Sequence, residues 1–105
     1  MPVWFRRQPR YGPGVDEDQQ RWERFSAHLE LGQRFTGTVV LVPRPGAIGV
    51  FVDLGLPFGG FVDVLRLPRE VERWPQVGTV TTFEVVWFDD RQQIRLKPLD
   101  PAYCA

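Results

Sequence analysis

Four side chains after residue 50 have the types and spacing needed to hold a nucleic acid: Phe51, Phe61, Arg95 and Lys97. Each sits in a run where apolar and other residues alternate, and side chains two apart on a strand share a face. The alternation turns Val50, Val52 and Leu54 inward and leaves Phe51 and Asp53 outside. It likewise turns Val62 and Val64 in and Phe61 and Asp63 out. In the last run Ile94 and Leu96 face in, while Gln93, Arg95 and Lys97 face out. Two outward rings beside a short basic row suit base stacking with phosphate contacts. Arg34 and Arg44 add further cations within reach of a backbone.

Catalytic chemistry finds less support. His28 stands alone on a helical stretch without a nucleophile or acid partner, and no glycine-rich loop carries a phosphate-binding lysine. Cys104 is the single cysteine, which excludes an intramolecular disulfide and a Cys/His zinc set. Asp53, Asp63 and Asp89 bring no other convergent ligands, so neither a metal nor a cofactor is expected. Asp89 and Asp90 precede Arg91 in a tight connection, where an Asp side chain bonds the backbone of its own turn. The reading is a non-enzyme.

Thirteen Lys and Arg balance thirteen Asp and Glu over 105 residues. That balance gives no global basic field of the kind that drives strong non-specific nucleic-acid binding. The cations are nearly all Arg, with Lys97 the one Lys, and a guanidinium fork suits phosphates and bases. Residues 1–10 hold Arg6, Arg7 and Arg10 but no apolar run comes after them, so neither a signal peptide nor a membrane span is expected. A cytoplasmic protein without an evident small-molecule substrate is the expectation.

The elements that position these residues emerge from pattern and punctuation. Residues 1–14 hold Pro9, Gly12, Pro13 and Gly14 and read as a flexible arm, whose Trp4, Phe5, Tyr11 and arginines could clamp a nucleic acid or a protein. Residues 15–31 read as one amphipathic helix, with acids at its start, Trp22, Phe25 and Leu29 at helical spacing, and Gly32 as its stop. From Gly32 the period turns toward two. Strands are predicted at 33–42, 47–54, 59–64, 79–88 and 92–98, within a domain over 32–98, with a tail at 99–105. Between strands three and four, Leu67, Val71 and Trp74 predict a helical turn or two, with Trp74 plugging one end of a barrel and Arg66, Arg69 and Arg73 on one side. Five short strands make a mainly β fold, a five-stranded OB-type barrel.

Phe35-Thr36-Gly37-Thr38-Val39-Val40, Ile48-Gly49-Val50-Phe51-Val52-Asp53-Leu54, Gly59-Gly60-Phe61-Val62-Asp63, Val77-Gly78 with Phe83, Val85 and Phe88-Asp89, and Ile94-Arg95-Leu96 succeed one another in order. Together they resemble the RNA-binding domain repeated in ribosomal protein S1. The resemblance implies an S1-like OB-fold and single-stranded RNA as the partner. The face implied for RNA takes two aromatics on strand two, a His on strand three, an Asp ending strand four and an Arg entering strand five. Those positions fall on Ile48, Phe51, Asp63, Asp89 and Gln93, where only Phe51 and Asp89 keep the expected type. Phe61 could supply the second ring, and Trp87 falls at a position implied to face solvent. The departures leave a second reading open, a protein-interaction module (adaptor, regulator or inhibitor) on a barrel that has lost RNA.

Overall fold

The β-branched and aromatic runs after Gly32 form strands that close on themselves. The computed structural model describes residues 17–89 and 91–105; the expected arm and Asp90 lie outside the described residues. A helix α1 (Glu17–Ser26) precedes strands β1 (Arg34–Leu41), β2 (Gly49–Asp53), β3 (Gly60–Asp63), β4 (Val80–Phe88) and β5 (Ile94–Pro98). The closed order is β1-β2-β3-β5-β4. β3 and β5 run parallel and the other neighbours antiparallel. Closure pairs every strand on both sides, so the sheet presents no open edge. The fold is mainly β, as the alternation predicts.

Inward residues of all five strands meet in one interior. Val39, Val50, Val52, Val62, Phe83, Val85, Ile94 and Leu96 are buried there, with Leu54 beside them. So small a barrel needs its ends shut to gather enough apolar contact. Trp22 shuts one end: its indole meets Phe58 of the β2–β3 loop edge-on at 4.9 Å and Phe88 of β4 at 6.4 Å. Trp74 serves the opposite end, where β3 leads away from the Phe58 loop, and its Nε1–H donates to the Pro68 carbonyl at 2.6 Å. The rings of α1 therefore go to the barrel's end rather than onto Phe51.

Two local differences from the pattern have physical causes. α1 stops at Ser26, a turn before Gly32, because the chain tightens through the bonds His28 N–H to Phe25 O and Leu29 N–H to Ser26 O. Leu29 is buried all the same, and Gly32, with φ +86°, donates to Val85 O at 2.7 Å to steer the chain into β1. His28 is exposed. The link after β3 holds the expected helical turn or two as two short 3₁₀ turns, Val64–Arg66 and Val71–Arg73, with a break between them that divides the three arginines. Pro68 lies between them, and its missing N–H favours that break. Arg66 is thereby parted from Arg69 and Arg73, which border a separate cavity beside Trp74 and Cys104.

Trp22→Ala is expected to cost about 3–5 kcal/mol of stability, the range for emptying a buried Trp site, read from the midpoint of a urea denaturation curve.

Candidate nucleic-acid interface

One row of outward side chains crosses four strands of the barrel. Phe51 on β2 pairs with Phe61 on β3, Phe61 with Arg95 on β5, and Arg95 with Trp87 on β4. Leu41 on β1 extends the row beyond Phe51. Strict alternation would bury both ends of it, since Val39 and Val85 point inward two residues before Leu41 and Trp87. The ladder shifts between Val39 and Leu41 and again between Val85 and Trp87. An inserted residue at each bulge reverses the phase of the rest of the strand. Trp87 is consequently 56% exposed, while Phe88 turns back against the core.

The middle of the row is held tightly. The Phe51 and Phe61 rings lie 4.9 Å apart, and the Arg95 guanidinium sits 5.1 Å from the Phe61 centroid in a cation–π contact. Gly49 leaves the space that Phe61 fills, since a Cβ there would strike both the ring and the Val62 carbonyl oxygen. Phe61 points out of the barrel as expected but is only 7% exposed, being covered by its neighbours. Phe51, by contrast, is half-buried and keeps part of its ring open. Ile48, just before Gly49, is exposed and holds φ +65° above a tight turn from Gly49 N–H to Ala47 O. An aliphatic side chain thus occupies the position where the S1 resemblance implies an aromatic.

Most cations of the interface have acidic partners. Asp63 accepts the Leu65 N–H at 2.9 Å through Oδ1, and its Oδ2 lies 3.7 Å from Arg95. Asp89 accepts the Arg91 N–H at 2.9 Å and faces the Arg91 side chain at 4.0 Å. Arg34 and Lys97 converge on Glu84, at 3.6 and 3.3 Å. Arg44 is exposed in the turn between β1 and β2. The structure therefore unites Phe51, Phe61 and Arg95, sets Asp89 in the adjoining cleft, and leaves Arg34, Lys97 and Arg44 outside it. Sequence pattern alone does not bring Arg66 or Arg91 to this face, yet both line that cleft of about 550 Å³ with Trp87 and Asp63. Among the described residues no three His, Cys, Asp or Glu side chains gather as a metal site, and no helix is long and apolar enough to cross a membrane.

The barrel is shared with several solved structures. GSP13 from Bacillus subtilis superposes with a TM-score of 0.57 at 24% identity, over 67% of this chain and 55% of that one. The chain has the S1-type OB barrel. A chain of the a/eIF2alpha–aDim2p–rRNA complex from Pyrococcus horikoshii matches at TM-score 0.57 and 19% identity, over 68% of this chain and 45% of the other. A protein assigned as an exosome complex RNA-binding protein matches at TM-score 0.55 and 20% identity, over 71% of this chain and 46% of the other. The chain thus spans about half the length of each of these proteins. No family model matches the sequence, and no curated protein does.

Phe61→Ala removes a covered ring and is expected to lower stability by about 3 kcal/mol, a fall in melting temperature of more than ~10 °C for a domain of this size. Phe51→Ala removes a half-open ring, and its melting temperature is expected to fall by far less in the same calorimetric scan.

Proposed function

We propose that the chain is a non-catalytic module that binds single-stranded RNA through the outward row, with stacking dominant and phosphate contacts secondary. The observation that carries this reading is the register placing Phe51, Phe61, Arg95 and Trp87 side by side on one face. Single-stranded nucleic acid stacks its bases on such rings at about 1–3 kcal/mol each, with little regard to sequence. Phe51 is the open ring, Phe61 packs against its side at 4.9 Å, and Arg95 offers a planar cation beyond Phe61. Asp89 stays in reach of a base edge, and Arg34, Arg44 and Lys97 act as peripheral cations along the strand's path. Support by analogy comes from similarly folded proteins, one in a complex with rRNA and one assigned as RNA-binding.

Electrostatics set the expected strength. Arg95, Arg91, Arg34 and Lys97 each face a carboxylate within 4.0 Å, so phosphates must compete with groups already in place. Affinity should accordingly depend weakly on salt. A protein-interaction role is the second reading, favoured by the exposed apolar side chains Val40, Val77 and Val80 around the start of β4.

Fluorescence anisotropy with a labelled single-stranded RNA tests the choice. The wild type is expected to bind with a shallow salt slope, and Phe51→Ala to weaken binding by 1–3 kcal/mol, about 5- to 150-fold. Asp63→Asn keeps the acceptor for Leu65 N–H while releasing Arg95. It should therefore tighten binding and steepen the log–log salt slope by about 0.7, the value for one added phosphate contact on a single strand. Absence of binding at tens of micromolar protein in low salt would turn the reading toward a protein partner.

A further inference from the structure

The cleft beside Trp87 has a composition that the ring pair at Phe51 does not explain. Its floor is Arg95 on β5. One wall is Trp87 on β4; the other is Leu65 and Arg66 from the 3₁₀ turn after β3. Arg91 closes it from the β4–β5 loop. Trp87 is 56% and Leu65 84% exposed, so two apolar surfaces face each other across an open space of about 550 Å³. That volume lies within the range of sites for small organic ligands, about 300–1,000 Å³.

Three arginines, Arg66, Arg91 and Arg95, line the cleft against two carboxylates, Asp63 and Asp89, which face Arg95 and Arg91 respectively, and the surplus cation selects the ligand's chemistry. Arg66 makes no ion pair among the described residues. Arg91 is 75% exposed, and the pair with Asp89 is long at 4.0 Å. Two accessible guanidinium forks beside an open indole match an aromatic base carrying a phosphate. We infer that this cleft is a second nucleotide subsite, in which Trp87 stacks a base while Arg66 and Arg91 hold its phosphate.

The inference deepens the RNA-binding reading and rests on it. Trp87 and Phe51 are three strand spacings apart, roughly 14 Å around the barrel at about 4.8 Å per strand. Adjacent stacked bases rise only about 3.4 Å, so the base at Trp87 is not the neighbour of the base at Phe51. At least one nucleotide bridges the two, passing over Arg95. A dinucleotide anchored at Phe51 therefore leaves the cleft empty, whereas a hexanucleotide fills both subsites.

Affinities of a labelled dinucleotide and hexanucleotide RNA for four proteins test this: wild type, Phe51→Ala, Trp87→Ala and Arg66→Gln. Denaturation midpoints close to wild type for the Trp87 and Arg66 variants accompany the comparison. Trp87→Ala is expected to weaken the hexanucleotide by about tenfold, within the range for one lost stacking contact, and to leave the dinucleotide within about twofold. Arg66→Gln should flatten the salt slope for the hexanucleotide alone. Phe51→Ala should weaken both lengths. Equal affinity of wild type and Trp87→Ala for the hexanucleotide, with Phe51→Ala impaired, would overturn the second subsite and leave the RNA reading intact. A wild type that binds neither length would overturn both.

Discussion

Two bulges, one in β1 and one in β4, decide what this barrel shows to the outside. Period-two alternation alone would send Leu41 and Trp87 into an interior already filled by Val39, Val85 and their neighbours. The inserted positions at Val40 and Val86 reverse the phase, so that the two side chains flank the row begun by Phe51, Phe61 and Arg95. A closed sheet has no free edge with which to recruit a partner strand, and side chains on its outer surface are then its means of contact. Phe51, Phe61 and Arg95 face out by alternation alone; the length of the row and the added cleft derive from this phase change.

The same face is held together by groups that also occupy its cations. Gly49 makes room for Phe61, Phe61 carries Phe51 and Arg95, and Asp63 ties Arg95 to the start of the next 3₁₀ turn. Each contact orders a ring or a guanidinium before any ligand arrives, which lowers the entropy lost on binding. The cost is electrostatic, since Asp63 and Asp89 hold cations that a phosphate would otherwise claim.

Much of the scaffold is legible in the residues themselves. Alternation assigns Val50, Val52, Leu54, Ile94 and Leu96 to the interior and Phe51 to the outside, because burial on one face imposes a period of two. Trp74 belongs at the end of the barrel because it continues the apolar spacing of Leu67 and Val71 in the link between strands. Partnerships across strands are not legible: that Arg34 and Lys97 both meet Glu84, or that Arg95 lies over Phe61, depends on register, which a single strand's pattern does not encode. The covering of Phe61 has the same origin. Helical spacing groups Arg66 with Arg69 and Arg73, and the break at Pro68 places it instead in the Trp87 cleft. Such a break is visible as a proline, but the direction in which the chain leaves it is not.

The central claim, that single-stranded RNA lies across the outward row, is tested most directly by backbone amide NMR during titration with a short unlabelled RNA. Shifts are predicted to concentrate at residues 48–51, 61–66, 87–89 and 91–95, with α1 and the turn at Val71–Arg73 unmoved. Shifts centred on α1 or on the start of β4, or none at saturating RNA, would contradict it.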